Sequence, residues 1–136
     1  MTVVFTNGCF DILHYGHLKY LEEASKLGSK LIVGLNSDCS VRALKGEGRP
    51  LNQEFVRKYQ LQCCKYVSEV IIFDSPTPMD LIKKIKPDVL VKGGDYELKD
   101  VVGGKFVLSY GGVVKSLNYL EGFSTTALIE KVKRCD

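Results

Sequence analysis

The chain has 136 residues, of which 45% are hydrophobic and 26% charged, a composition that excludes disordered and fibrous proteins. A net charge of +3 is too small to indicate nucleic-acid binding. No apolar run reaches the ~18 residues of a membrane helix, and no signal-peptide pattern or C-x-x-C pair is present. We therefore expect one cytoplasmic domain over residues 1–136, with free thiols and without a nucleic-acid or membrane partner.

Short β-branched runs alternate with longer stretches of helical period along the chain. The predicted strands begin at Val3, Leu31, Val70, Val89 and Val113. The predicted helices run up to Gly28, over residues 52–67, over 78–85 and from Ser124. This alternation predicts an α/β fold, a Rossmann-like, doubly wound five-stranded parallel sheet with helices on both faces in a single domain.

Polar or glycine-rich segments follow four of the five predicted strands. These segments are Thr6–His17, Asn36–Pro50, Lys92–Tyr96 and Glu121–Thr126. Ligands of doubly wound sheets bind beyond the carboxyl ends of the strands. The four segments should therefore converge on one binding site.

The segment His14-Tyr15-Gly16-His17 holds both histidines of the chain. At a helix start, side chains three residues apart share a face, so both imidazoles can reach one ligand. Gly16 allows a phosphate close to the backbone, and the helix N-terminus offers free N–H groups. We interpret the pair as catalytic, because no third ligand for a zinc ion is evident.

The loop after the first strand, Thr6 to Asp11, is the second candidate. Gly8 suits a tight turn whose amides face a phosphate. Asp11 could either hold a magnesium ion or fix the loop through hydrogen bonds to backbone amides, and we favour the second role.

Three cations lie near this predicted edge. Lys45 and Arg49 belong to a loop that can close over an anionic substrate, whereas Arg57 lies on the next predicted helix. We expect Arg57 to be the best placed of the three because a helix is rigid.

Two further segments could contact a nucleotide. Gly93 and Gly94 permit a turn against a flat base, and Asp95 could accept hydrogen bonds from a ribose. The hydroxyl residues Ser124 to Thr126 could cap the last helix or bind a triphosphate with its free N–H groups. We read Gly103-Gly104 as a turn and Cys63-Cys64 as core.

Such a site suits nucleotidyl transfer better than covalent catalysis, since no Ser–His–Asp or Cys–His arrangement and no Walker A motif is present. A phosphate acceptor is already an anion and needs no strong base. Catalysis then requires positioning and charge stabilisation, which His, Lys, Arg and Mg²⁺ supply.

The motifs together resemble the cytidylyltransferase-like nucleotidyltransferases, and most closely their D-glycero-D-manno-heptose 1-phosphate adenylyltransferase branch. The segments that carry the resemblance are Phe5–Asp11, His14–His17, Lys45–Pro50, Lys92–Tyr96 and Glu121–Thr126. The resemblance implies transfer of AMP from ATP to heptose 1-phosphate, giving ADP-heptose and pyrophosphate for a surface glycan, with Mg²⁺. It also implies a homodimer and, because the branch is often fused to a sugar kinase, a separate kinase in the pathway.

The resemblance also implies roles for single residues. His14, His17, Lys45 and Arg57 would act on the phosphates, and Arg49 would reach the sugar phosphate. The residues implied to bind the nucleotide are Thr6, Asn7, Gly8, Phe10, Gly16, Lys92, Asp95, Tyr119, Ser124, Thr125 and Thr126.

Alternatives remain open at the acceptor and the base. Glycerol 3-phosphate cytidylyltransferases carry an arginine where this chain has Asn118-Tyr119-Leu120, which argues against that branch. Transfer to FMN, formation of GDP-heptose, and a nucleotide-binding regulatory module without turnover are the other readings. Pyrophosphate release with a panel of nucleotides and acceptors would separate them.

Overall fold

The computed structural model describes residues 1–94, 100–118 and 125–134, and for 125–128 the backbone only. Five strands form one parallel sheet in the order β3-β2-β1-β4-β5. The strands are Val3–Gly8 (β1), Lys30–Asn36 (β2), Glu69–Phe73 (β3), Val89–Gly93 (β4) and Val113–Leu117 (β5). The predicted α/β class and all five predicted strands are confirmed.

Helices connect the strands and cover both faces of the sheet. They are Tyr15–Ser25 (α1), Asp38–Lys45 (α2), Glu54–Gln62 (α3), Met79–Ile85 (α4), Gly104–Ser109 (α5) and Thr125–Arg134 (α6). Helices α2 and α5 were not predicted, and α3 is shorter than expected. Among the described residues, no helix combines the length and the apolar character needed to cross a bilayer.

The core has one apolar cluster on each side of the sheet, because alternate strand residues point to opposite faces. Val4 of β1 belongs to the cluster that contains Leu21 of α1 and Leu61 of α3. Phe5, the next residue, belongs to the cluster with Ile82 of α4 and Val107 of α5. Helices on both faces are therefore confirmed.

The centre of the sheet opens into a crevice. Strand β1 pairs with β2 along its whole length, from Val3 to Gly8. Its pairing with β4 consists of Val4 with Val89 and Phe5 with Leu90. The carboxyl ends of β1 and β4 therefore separate at the point where the strand order reverses, which is where such folds bind ligands.

The two neighbouring cysteines that were predicted to lie in the core differ in burial. Cys63 is exposed, whereas Cys64 is partly buried and packs against the cluster that contains Leu21 and Leu61. The prediction is therefore wrong for Cys63 alone.

Candidate active site

A cavity of about 600 Å³ occupies the crevice between the carboxyl ends of β1 and β4. Residues from four of the strand–helix connections line it, together with Lys92 at the end of β4. The lining residues are Asn7, Gly8, Cys9, Phe10, Asp11, His14, His17, Asn36, Leu44, Lys45, Arg49, Pro76, Thr77, Pro78, Lys92 and Val102. The loop after β1, the histidine pair, both loop cations and Lys92 thus meet in one place, as the sequence predicts.

His14 and His17 form a reciprocal cap at the N-terminus of α1. The Nδ1 atom of each ring accepts a hydrogen bond from the backbone N–H of the other residue, both with N···N distances of 3.4 Å. The two rings stack with their centroids 3.8 Å apart. The histidines take the place of the Ser and Glu of an ordinary capping box.

Both imidazoles are neutral at pH 7. Burial lowers the pKa of His17 to about 4, with repulsion from His14 adding to the effect and a hydrogen bond with the Ile12 backbone opposing it. Burial also lowers the pKa of His14. Since each Nδ1 accepts a hydrogen bond, the proton of each neutral ring resides on Nε2.

The Nε2 atom of His14 is buried and has no hydrogen-bond partner within the part of the chain that the structure describes. A buried donor without a partner costs about 1–3 kcal/mol. An anion in the adjoining cavity could recover that free energy by accepting this hydrogen bond.

Phe10 shapes the floor of the cavity. Its backbone has φ = +45°, and its ring meets His17 edge-on with the centroids 5.2 Å apart. A side chain at Gly8 would place a Cβ 2.9 Å from the Phe10 ring. Glycine is therefore required at residue 8 for this packing.

Asp11, for which magnesium binding was one of two predicted roles, is held by hydrogen bonds to neighbouring residues in this structure. It is 1% exposed and accepts hydrogen bonds from the backbone N–H groups of Leu51 and Asn52 and from Arg49 Nε, at 2.8–2.9 Å. Burial raises the pKa of Asp11, but these hydrogen bonds and the Arg49 charge outweigh it and the net pKa is lowered. The favoured alternative, a carboxylate that fixes the loop through backbone amides, is what the structure contains.

Arg57, predicted to contact phosphates, is fully buried in the structure. Its guanidinium donates hydrogen bonds to four acceptors at 2.8–2.9 Å. These acceptors are the carbonyl oxygens of Cys9, Asn36 and Asn52 and the Asp38 carboxylate. The side chain ties the carboxyl-edge loops together and does not line the cavity.

Thr6 also turns away from the cavity. It is fully buried, and its hydroxyl shares a 2.6 Å hydrogen bond with that of Tyr20 on α1. The Thr6 side chain therefore fixes α1 against β1, and it is not among the residues that line the cavity. Gly16 is buried in the first turn of α1.

Burial shifts the pKa values of two further groups in the cavity, the Lys92 ammonium and the Cys9 thiol. Lys92 is partly buried, and this burial lowers the pKa of its ammonium group. Burial raises the pKa of the Cys9 thiol against the opposing effect of Lys45, Arg57 and Arg49. Cys9 is thus a neutral thiol at pH 7.

Sequence reasoning missed the part of the cavity lining that comes from the segments before α4 and α5. Pro76, Thr77 and Pro78 follow β3, and Val102 precedes α5. The rule that ligands gather at the carboxyl ends of strands applies to β3 as well. That rule would have found the proline segment if it had been applied to the third strand.

Some predicted residues cannot be placed. Asp95, Tyr119 and Ser124 lie outside the described residues. Thr125 and Thr126 begin α6, but their side chains are not described. In the described ranges 1–94, 100–118 and 125–134, no three His, Cys, Asp or Glu side chains gather as a metal site. The described residues therefore do not form a protein cage for magnesium.

Comparison with known proteins gives a consistent family. The model of the cytidylyltransferase-like family matches residues 5–131. The chain is 56% identical over 131 residues to the bifunctional protein HldE of Campylobacter jejuni subsp. doylei, and 53% identical over 133 residues to that of Nitratiruptor sp.. These matches cover 96% and 98% of this chain and 28% of each relative, so the chain spans about 28% of the length of these curated relatives.

A solved structure has the same fold. The lipopolysaccharide core biosynthesis protein from Thermoplasma volcanium superposes with a TM-score of 0.70 and 28% sequence identity. The superposition covers 88% of this chain and 97% of the other.

Proposed function

Because the chain belongs to the cytidylyltransferase-like family, we propose that it is a nucleotidyltransferase that moves AMP from ATP to D-glycero-D-manno-heptose 1-phosphate. The products are ADP-heptose and pyrophosphate. The high identity to bifunctional HldE proteins and the likeness to a lipopolysaccharide core biosynthesis protein support a heptose acceptor and a role in surface glycan synthesis.

One observation carries the proposal. Two neutral, stacked imidazoles stand at a helix N-terminus on a cavity, and the Nε2–H of His14 is buried without a described partner. Helix N-termini favour anions through their free N–H groups and their dipole. A triphosphate oxygen is the acceptor that such a donor lacks.

The reaction needs no general base. A phosphate oxygen of heptose 1-phosphate attacks the α-phosphorus of ATP, and a new P–O bond forms as the bond to the bridging oxygen of the leaving pyrophosphate breaks. His14 donates a hydrogen bond from Nε2, and His17 holds His14 in place through the reciprocal cap. Lys45 and Lys92 would add positive charge where pyrophosphate leaves.

Magnesium enters this proposal with the substrate. The described residues offer no carboxylate set for it, so the ion would arrive as the magnesium complex of ATP. Asn7, Gly8 and Phe10 line the cavity beside the histidines and would border the nucleotide. Asp95, Tyr119 and Ser124 to Thr126 remain proposed nucleotide contacts on the resemblance alone.

The wider setting is also a proposal. We expect residues 1–136 to act as one domain in the cytoplasm, as a homodimer, with heptose 1-phosphate supplied by a sugar kinase. The four described cysteines are free thiols, which suits a reducing compartment.

The test is pyrophosphate release in the presence of Mg²⁺. ATP, CTP and GTP are each offered with heptose 1-phosphate, glycerol 3-phosphate and FMN, and the nucleotide product is identified by mass. Release with ATP and heptose 1-phosphate alone supports the proposal. Release with GTP or with another acceptor contradicts the base or the acceptor, whereas nucleotide binding without any turnover favours a regulatory module.

A further inference from the structure

Asp11 binds residues 49–52 through both its side-chain carboxylate and its backbone carbonyl. Its carboxylate accepts hydrogen bonds from the backbone N–H groups of Leu51 and Asn52 and from Arg49 Nε. Its backbone carbonyl accepts a 2.9 Å hydrogen bond from the Asn52 side chain. The loop after β1 and residues 49–52 therefore behave as one unit at the wall of the cavity.

Arg49 is oriented by this arrangement. Its side chain is 18% exposed, lines the cavity, and lies 2.8 Å from an Asp11 oxygen through Nε. Among the three side-chain nitrogens of Arg49, only Nε has a hydrogen-bond partner within the described ranges. The two Nη groups form the other edge of the planar guanidinium, an edge that matches the two oxygens of a phosphate.

Without Asp11, little would fix Arg49. Gly46 and Gly48 have φ values of +95° and +86°, and a Cβ at either glycine would meet no atom within 4 Å. Residues 42–48 are exposed. The connection before Arg49 is thus open chain, and the ion pair with Asp11 sets where the guanidinium points.

Two anions must meet in this cavity during nucleotidyl transfer. The histidine pair is neutral and offers hydrogen bonds at the end of α1, whereas Arg49 carries a permanent charge and reaches the cavity from a different chain segment. A second anion beside a triphosphate needs a fixed cation to offset their repulsion. Arg49 lines the cavity and is a cation that can meet that need.

We propose that Asp11 is a positioning residue that aims the free edge of Arg49 at the phosphate of the acceptor. The inference rests on the proposed function for the identity of that acceptor. In this arrangement Asp11 acts through Arg49.

The test is a double-mutant cycle with Asp11→Asn, Arg49→Ala and the double variant, measured by steady-state kinetics. Each single change should raise the KM for heptose 1-phosphate by about 10-fold or more, the scale of a lost charge-assisted contact. The KM for ATP should stay within about 2-fold. The double variant should be no worse than Arg49→Ala alone, because both changes remove one interaction.

Two further variants separate positioning from general stability. Asp88→Asn is the matched control, since Asp88 also accepts a backbone hydrogen bond, from Val3, but at the amino edge of the sheet; it should leave both KM values unchanged. Arg49→Lys keeps the charge without the planar fork. It should still weaken calorimetric binding of heptose 1-phosphate in the absence of ATP, and it keeps the test open if Asp11→Asn does not fold.

The outcomes are distinct. Multiplicative effects in the double variant, a rise in the KM for ATP instead of the acceptor, or unchanged acceptor binding by Arg49→Lys would overturn the positioning role. Wild-type protein that neither binds nor uses heptose 1-phosphate contradicts the proposed function. Active wild-type protein with uncoupled variants contradicts this inference alone.

Discussion

Arg57 is the largest of the fully buried side chains, and it is a cation. Its charge is offset by Asp38 and by three carbonyl oxygens from three different segments. A buried arginine whose charge and N–H groups are all compensated in this way stabilises the arrangement of the loops. Its removal leaves several buried acceptors without a donor.

Replacing Arg57 should therefore cost stability before it affects chemistry. We expect Arg57→Met to lower the free energy of unfolding by about 3 kcal/mol or more, because the carbonyl acceptors stay buried. Urea unfolding measures this change. Arg42→Met, at an exposed position of α2, should cost less than about 0.5 kcal/mol. A loss below about 1 kcal/mol in Arg57→Met would contradict the structural role.

His17 is the opposite case, a residue whose loss should affect turnover far more than folding. His17→Ala removes one half of the reciprocal cap, which costs about 1 kcal/mol. It also frees the His14 ring from its stacked position, and we expect kcat to fall at least about 100-fold.

Circular dichroism and pyrophosphate release measure the two effects of His17→Ala separately. Lys19→Ala, half a turn further along α1 and partly exposed, should keep normal turnover. Near-normal activity of His17→Ala would contradict the role assigned to the pair.

The contrast between these two residues shows what single side chains reveal in a sequence. Two histidines three residues apart, with a glycine between them, indicate a shared ligand without any structure. A lone arginine within a helical stretch gives no such sign, because charge predicts exposure and only the packed loops show that Arg57 faces inward. The same holds for Asp11, whose partners lie 38 to 41 residues away.

At the scale of elements, the N-terminus of α1 contains a pH-sensitive cap. Each Nδ1 must be unprotonated to accept its hydrogen bond. The pKa of His17 in the folded protein is about 4, against an ordinary 6.5. The unfolded chain therefore binds more protons between these values, and stability falls as the pH is lowered through this window.

This loss should be measurable by urea unfolding at pH 7, 5.5 and 4. We expect the free energy of unfolding to fall by on the order of 2–3 kcal/mol between pH 7 and pH 4. His17→Asn, which keeps a short polar side chain without a titrating group, should lose clearly less. The pKa of Asp11 is lowered from its ordinary value of 3.8, so the stability that this carboxylate contributes is lost only below that pH. The loss of stability from Asp11 therefore occurs at lower pH than the loss from His17. Equal pH slopes in both proteins would contradict the assignment.

The missed elements have local explanations. Helix α2 starts at Asp38 with a Ser37 side-chain cap, 3.1 Å from the Ser40 N–H. That signal is present in the sequence, but the polar segment also fitted a ligand loop. Helix α5 follows Gly103, whose φ of +83° makes the expected turn and also starts the helix. The strands were easier to predict than these helices, since buried parallel strands are continuous runs of β-branched residues.

At the scale of the whole molecule, the order of the strands determines where the chemistry meets. The alternation of elements predicts a parallel sheet and a shared carboxyl edge, but β1 and β4 become neighbours only through the fold. Their pairing stops after Phe5 and Leu90, and the cavity follows from that separation. The sequence could predict the segments of the site, but it could predict neither the crevice nor the lining by Pro76 and Pro78.

The surface of the molecule also bears on its proposed homodimer. Phe55 and Tyr59 lie four residues apart on α3, so they share a face, and they are 66% and 69% exposed. A standard interface buries about 800 Å² per partner, roughly a tenth of the 7905 Å² surface described for this chain. Burial of two large aromatic side chains at the centre of such a contact is the usual source of its affinity. We therefore expect a second copy of the chain to cover this face.

Sedimentation equilibrium at micromolar concentrations tests the dimer. The wild-type protein should sediment as a dimer, and Phe55→Ser combined with Tyr59→Ser should shift it to the monomer by weakening association at least about 100-fold, since two aromatic anchors are removed. Leu108→Ser, at a half-exposed apolar position on α5, should leave the dimer intact. A wild-type monomer would contradict the homodimer, whereas a dimer that survives the double change would place the contact on another face.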